Sequence, residues 1–298
     1  ITTGLKPVRT YERAQLFSDK LNSNLNDVDG SANVEHLVPL PAIKNTLRII
    51  PFGGVEEVGI NMTAYEYGDD IIVVDMGLGF PEQKYSGIQY IIPNYQWLEE
   101  NKKRIRAVII THAHMDHIGA IPYILPRLGN PPVYSMPLSI GFIKSRLQEF
   151  NLVEQLPLHI VHQDDVLRFG NFTVEFFRVN HNIPDSVGLA ISSPAGRVIH
   201  TGDWKLDFTP GDGQPAEMDK LAKWGGENVL ALLSDSTNAQ KPGFCASEAK
   251  LHDDLEKMFA SAHDRIILTC NALILTRIQQ VLDIAVRLNR KVVIVGRS

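Results

Sequence analysis

Four side chains able to bind a metal ion fall within six residues of this 298-residue chain, in Thr111-His112-Ala113-His114-Met115-Asp116-His117-Ile118-Gly119. Three of the chain's 10 histidines lie there, too many for an incidental polar turn. The run just before it, Ala107-Val108-Ile109-Ile110, is apolar and rich in β-branched residues, so it reads as a buried strand feeding a loop. Alternate side chains of an extended chain point the same way, so His112 and His114 can converge on one ion. Asp116 and His117 follow where the chain turns, and can face a second ion beside the first. Imidazole together with carboxylate suits a borderline divalent metal such as zinc.

Two more candidates share one placement with this loop, just past the end of an apolar strand. His181 follows the alternating run 172–179, and Asp203 follows the run 198–201 by way of Gly202. Side chains at the common end of neighbouring strands converge although they are distant in sequence. Asp203 is suited to bridge two ions, since a carboxylate offers two oxygens. Asp75 ends the strand 71–75, where a carboxylate can orient a ligand histidine. His36, His159, His162, His200, His252 and His263 show no comparable spacing and read as structural or surface residues. Gly53-Gly54-Val55-Glu56-Glu57-Val58-Gly59 is not a dinucleotide-binding loop, because no helix is expected after it.

The elements that must position these residues follow from pattern. Strands are expected over 47–52, 62–67 and 71–75, with a hairpin turn at Gly68-Asp69-Asp70. Gly77-Leu78-Gly79-Phe80-Pro81 supplies a loop over the site. A helix over 95–104 leads to the metal strand 105–110, and a second helix over 118–128 is limited by Pro122 and Pro126. A strand beginning at Pro131-Pro132-Val133-Tyr134, an amphipathic helix over 138–150, and strands over 172–179, 187–191 and 198–201 come next. Strands alternating with helices make this an α/β sandwich. From the strand 229–233 onward, helices over 248–262 and 275–288 alternate with strands over 265–269 and 291–295. That βαβ order predicts a parallel sheet, and so a second domain starting near Ser236. Residues 1–45 are polar and weakly patterned, an extension with a short helix over 11–21. The sequence stops just after a buried-type strand, as a truncated chain would.

Composition bounds the rest. Hydrophobic content of 44% and charged content of 21% are ordinary for a globular enzyme. No apolar run approaches the roughly 20 residues of a membrane-spanning helix, and the first residues lack a signal-peptide pattern. Two cysteines, Cys245 and Cys270, make no disulfide framework, which fits a reduced, cytoplasmic setting. A formal net charge of −5 argues against a broadly basic nucleic-acid-coating protein but leaves room for a local basic channel.

The order Asp75, the His112–His117 cluster, His181 and Asp203 resembles the motifs of the metallo-β-lactamase fold superfamily. Three stretches resemble the ribonuclease J family in particular: His181-Asn182-Ile183-Pro184-Asp185-Ser186, Thr201-Gly202-Asp203-Trp204-Lys205-Leu206-Asp207 and Ser234-Asp235-Ser236-Thr237-Asn238. The Gln279-Gln280 helix and the segment 291–298 resemble that family's inserted β-CASP domain. The resemblance implies a metallo-β-lactamase αββα sandwich over 46–235, after the extension 1–45, with the first part of a β-CASP-like domain over 236–298. It implies hydrolysis of phosphodiester bonds in single-stranded RNA, internally or from 5′ to 3′, by a metal-activated water. His112, His114 and His181 would hold one zinc, Asp116 and His117 another, and Asp203 would bridge, with manganese or magnesium as substitutes. Asp116, His117 and Asp203 are then the catalytic candidates, Asp75 and Asp185 support the ligands, and Ser236 and Arg297 contact substrate. The implied partner is single-stranded RNA, with no membrane and a homo-oligomer, dimer or tetramer. Two features depart from the family. The part that returns after the β-CASP insertion, with a further metal-ligating histidine and the 5′-phosphate grip, is not in this sequence. The segment 269–277 lacks the usual Ser-Asn pair. Two other readings compete: a hydrolase of a β-lactam or thioester on the same fold, and an inactive truncated paralogue that binds RNA or assembles with partners.

Overall fold

The computed structural model describes residues 45–81 and 87–295. The extension 1–45 and its helix, His36 and Arg297 therefore lie outside the described residues, apart from Asn45 itself. Eleven strands form two sheets among the described residues. The first, β1 (Arg48–Gly53), β2 (Met62–Tyr67), β3 (Asp70–Val74), β4 (Ile105–Ile109), β5 (Val133–Ser135) and β6 (Leu158–Ile160), runs in sequence order. Its first pairs are antiparallel hairpins, and from β3 onward the pairing is parallel. The second sheet contains β7 (Val166–Phe169), β8 (Phe172–Arg178), β9 (Val187–Ser193), β10 (Gly196–His200) and β11 (Val229–Leu233), in the order β11-β10-β9-β8-β7. It is antiparallel except where β11 joins β10.

Strand alternation sorts the core into layers. In β3, Ile72 and Val74 point between the sheets, where they meet Phe172, Val174, Phe176, Leu189, Ile191 and Val198 of the second sheet. Ile71 and Val73 point the other way, into a layer shared with helices α1 (Gln96–Glu100), α2 (Met115–Ile118), α3 (Ile121–Ile124) and α4 (Pro137–Gln148). A strand covered on both faces must be apolar throughout, which is why β3 reads as a continuous run. On the outer face of the second sheet, Phe177, Ala190 and Ile199 pack on Trp224 of helix α5 (Met218–Gly225). The result is the expected αββα sandwich. Between its sheets Tyr65 Oη lies 2.8 Å from Nδ1 of His200, one of the histidines read as structural.

The expected helix over 118–128 is instead two single turns, α2 and α3. The carbonyls of Asp116 and His117 accept from the N–H groups of Asn61 and Met76, and the Ala120 N–H donates to Met76. Those groups are withdrawn from the helical ladder, and Pro122 removes another donor. The last third also differs. Helices α6 (Glu248–Ser261) and α7 (Leu275–Arg287) form as expected, but the segments 265–269 and 291–295 join no sheet among the described residues. A strand is stable only with a ladder partner. Here Ile267, Val293 and Val295 are 85%, 83% and 91% exposed, so these segments carry strand periodicity but have no ladder partner among the described residues.

Phe176, 1% exposed in the layer between the sheets, is a test of that layer. Phe176→Ala should cost about 3–5 kcal/mol, read as a lowered denaturation midpoint with unchanged slope.

Candidate metal centre

The site grows from the ends of β3 and β4. Asp75, one residue past β3, takes a left-handed backbone conformation (φ 61°) and is 2% exposed. Its backbone N–H donates to the Ile109 carbonyl at the end of β4. Its carboxylate accepts from the Thr111 N–H at 2.8 Å and from the Thr111 hydroxyl at 2.9 Å (Oδ2). Oδ2 also lies 2.8 Å from Nδ1 of His117. A strained residue held by this many bonds is over-determined by its surroundings, and here it fixes which nitrogen of His117 faces outward.

The metal loop itself rests on the segment after Asp75. Met76 N–H donates to the His117 carbonyl at 2.7 Å, and Leu78 N–H to that of Met115 at 3.1 Å. A Cβ on Gly77 would sit 1.6 Å from the Asp116 carbonyl oxygen, so only glycine lets the two segments close. Gly202 does the same for Asp203: it has φ 59°, and a Cβ there would press on Thr111 at 3.0–3.3 Å. Behind it the loop after β11 holds Trp204, whose N–H donates to Asp235 Oδ2 and whose indole donates to Ser234 Oγ.

These supports bring the predicted residues into two adjoining sets of donor atoms. In the first, His114 Nδ1 lies 3.1 Å from His112 Nε2 and 3.0 Å from His181 Nε2. Asp203 Oδ2 is 3.9 Å from His112 Nε2 and 3.7 Å from His181 Nε2. A tetrahedral ion with ligands at about 2.0–2.1 Å has donor-to-donor edges of about 3.3 Å, so this spacing suits a divalent metal. In the second set, His117 Nε2 lies 3.6 Å from Asp116 Oδ2 and 3.4 Å from Asp203 Oδ1. Asp203 thus turns one oxygen to each set.

Burial and mutual repulsion hold the first set unprotonated. Burial pushes His112 well below its ordinary value, with its neighbours His117, His181 and His114 adding to it. His114 is lowered, again chiefly by burial, although Asp116 and Asp203 oppose it, as does the Leu273 backbone bonded to its ring. His181 falls to about 4, mainly through burial. His117 is different: burial opposes its charge, but Asp75 and then Asp203 outweigh it and raise the imidazole above its usual value. Asp203 goes down to about 2 against its own burial, drawn by its hydrogen bond to His117.

The other predicted residues lie elsewhere. Asp185 accepts from the Leu138 N–H at the start of α4 and touches none of the donor atoms; it pins the loop that carries His181. Ser236 is exposed, and its carbonyl closes a turn onto Ala239. Two contributors gave no sequence signal. Asn61, before β2, directs its side-chain amide at Asp116 and His117. Leu273 reaches His114 from the start of α7. Neither has a ligand-type side chain or a telling spacing; only their strand-end and helix-start positions hint at the site.

The raised His117 predicts a proton count. Near neutral pH the three histidines of the first set already lack the extra proton, whereas an ion entering the second must displace the His117 proton, so zinc loading should release about one proton per chain from these side chains. Calorimetric titration in buffers of different ionisation enthalpy reads this number directly. Asp75→Asn, which removes the main cause of the shift, should reduce the release; an unchanged count would show that Asp75 does not govern His117.

Residues 55–268 match the family model described as "Metallo-beta-lactamase superfamily". The chain is 41% identical over 254 residues to "Ribonuclease J 1" of Streptococcus pyogenes, covering 85% of this chain and 45% of that protein. It is 40% identical over 260 residues to "Ribonuclease J" of Synechocystis, covering 86% and 41%. It therefore spans less than half the length of these relatives. Among solved structures, a protein of unknown function from Enterococcus faecalis superposes with a TM-score of 0.59 at 17% identity, over 80% of this chain and 63% of its own, a likeness of fold. The sandwich, the paired donor sets at its strand ends and the family match have one reading: this chain belongs to the metallo-beta-lactamase superfamily.

Proposed function

We propose that this chain is the metal-binding part of a ribonuclease that hydrolyses phosphodiester bonds in single-stranded RNA, by internal cuts or from the 5′ end. The observation that carries this reading is the pair of donor sets sharing Asp203, in a sequence about 40% identical to proteins named ribonuclease J. His112, His114 and His181 would hold one divalent ion, Asp116 and His117 the other, with Asp203 between them, zinc being the best match to the first set and manganese or magnesium alternatives. Bound there, two ions would supply Lewis acidity, lowering the pKa of water and offsetting charge on the phosphate oxygens.

The chain's own residues prepare that chemistry. The three histidines of the first set are neutral bases at physiological pH, and Asp203 is ionised far below it. Asp75 holds His117 with Nε2 turned toward Asp116 and Asp203. Preorganised groups of this kind need no rearrangement as charge develops on a reacting phosphate.

The helical segment beyond β11 favours RNA over a small substrate. It packs against the site: Thr276 Oγ1 donates to the Asn182 carbonyl, and Leu273 meets His114. We take this added wall as favouring an extended substrate such as RNA over a β-lactam or thioester. Ser236, exposed after β11, and Arg297 are proposed contacts for the RNA. A homo-oligomer and a cytoplasmic setting complete the proposal; both cysteines are free and exposed, and no helix among the described residues is long and apolar enough to cross a membrane.

The test is a time course on 5′-monophosphorylated, 3′-labelled single-stranded RNA with zinc- or manganese-loaded protein. Products that a chelator abolishes are expected, and His114→Ala and Asp116→Ala should each lower cleavage by at least about 100-fold. Full cleavage by both variants would refute the assignment. Turnover of a β-lactam or thioester with no RNA cleavage would favour the small-substrate reading, and bound metal with no turnover of any of them the inactive-paralogue one.

A further inference from the structure

His181 and Asp203 reach the first donor set from two different loops, and those loops are bonded to each other. The Lys205 N–H, two residues after Asp203, donates at 2.9 Å to the carbonyl of Asn180, the residue before His181. A further restraint comes from the start of α6. Glu248 is 9% exposed there, and its carboxylate accepts from Lys205 Nζ at 2.7 Å. Its other oxygen accepts from Arg277 of α7 at 3.1 Å. Thr276, beside Arg277, donates at 3.3 Å to the carbonyl of Asn182, the residue after His181. The contacts close a ring, from Lys205 through Glu248, α7, Asn182 and Asn180 back to Lys205, and His181 lies on its circuit. Asn180, His181, Lys205, Glu248 and Thr276 all line one cavity of about 270 Å³.

Glu248 is itself held from both sides. Its N–H donates to Asp207 Oδ2 at 3.0 Å, and its carbonyl accepts from Gln280 at 3.2 Å. Asp207, 6% exposed, also lies 3.6 Å from Lys205 Nζ. Two carboxylates thus face two cations, so the charges balance. Burying such a network costs desolvation that an apolar contact of the same shape avoids. Charge-assisted hydrogen bonds are directional, however, and fix where their partners stand. Adhesion of α6 to the sandwich needs no charges; a fixed position for Lys205 does.

We propose that Glu248 is a positioning residue of the metal centre. By holding Lys205 it holds the loop of Asp203 against the loop of His181, so that these two donors keep the spacing an ion in the first set requires. It touches neither donor and acts through Lys205 and α7. The inference rests on the reading that the first set binds an ion. It gives the helical pair a part in metal binding itself, besides that of a wall beside the cleft.

The experiment measures zinc affinity of the full chain by competition with a chromophoric chelator. Cobalt(II) put in place of zinc reports ligand geometry through its visible absorption. Glu248→Ala should weaken zinc binding by about 10–100-fold and alter the cobalt spectrum. Glu248→Gln, which keeps an acceptor oxygen for one of the two cations, should fall between the Ala variant and the unmodified chain. Lys205→Met, which keeps the stem and removes the charge, should weaken zinc as Glu248→Ala does, and decides the matter if the Ala variant does not fold. Glu66→Ala is the comparison. Glu66 is also buried (1% exposed) and also bonded to two cations, Arg48 and Arg104. It pairs with Ile71 at the start of β3, the end of the sheet away from the centre. Its loss should lower thermal stability with zinc affinity unchanged. A folded Glu248→Ala or Lys205→Met with the zinc affinity and cobalt spectrum of the unmodified chain would overturn the proposal. So would an equal loss of zinc in Glu66→Ala, which would trace the effect to stability alone. An unmodified chain that binds no zinc would instead refute the metal-centre reading, and the role of Glu248 with it.

Discussion

The carboxylate of Asp75 is the constraint on which the centre depends. It sits in the gap between the ends of two parallel strands, closes that gap through Thr111, and grips the ring of His117. Without it, the loop after β4 would keep its histidines but lose the register that aims them. Buried and multiply bonded carboxylates are stable only when each lone pair is answered. Here the answering groups are the same ones that build the centre, so fold and site stabilise each other.

The sandwich supplies what the loops cannot. Two apolar faces on β3 and β4, one toward the second sheet and one toward the helices, hold these strands rigid by packing on both sides. Loops at the strand ends are then free to carry polar residues, the usual division of labour between a scaffold and its functional loops. The cost appears as local strain in the left-handed backbone of Asp75, and as a position at Gly77 with no room for a side chain beside the Asp116 carbonyl.

Electrostatically, the two halves of the centre oppose each other. Burial strips protons from His112, His114 and His181, while carboxylates hold one on His117. Side chains separated by a few ångströms thus prefer different protonation states, a pattern characteristic of functional sites. Asp203 joins them, its two oxygens divided between a nitrogen-rich set and an oxygen-rich one.

The sequence alone determined the metal loop, because His112, His114, Asp116 and His117 are close neighbours and their geometry follows from local chain periodicity. It also placed Asp75, His181 and Asp203, since each ends an apolar strand and strand ends of one layer converge. The αββα layering was legible from the doubly apolar β3 and the alternating β8. Tertiary structure decided the rest. Asn61 became part of the centre through backbone bonds to Gly77 and to Asp116, the latter 55 residues away, which no local pattern encodes. The helix expected after the metal loop broke because its carbonyls were claimed by Asn61 and Met76. The segments 265–269 and 291–295 carry strand periodicity yet form no ladder among the described residues. Periodicity records which face a residue would bury, whereas pairing requires a neighbour, and only the folded chain determines whether one is there.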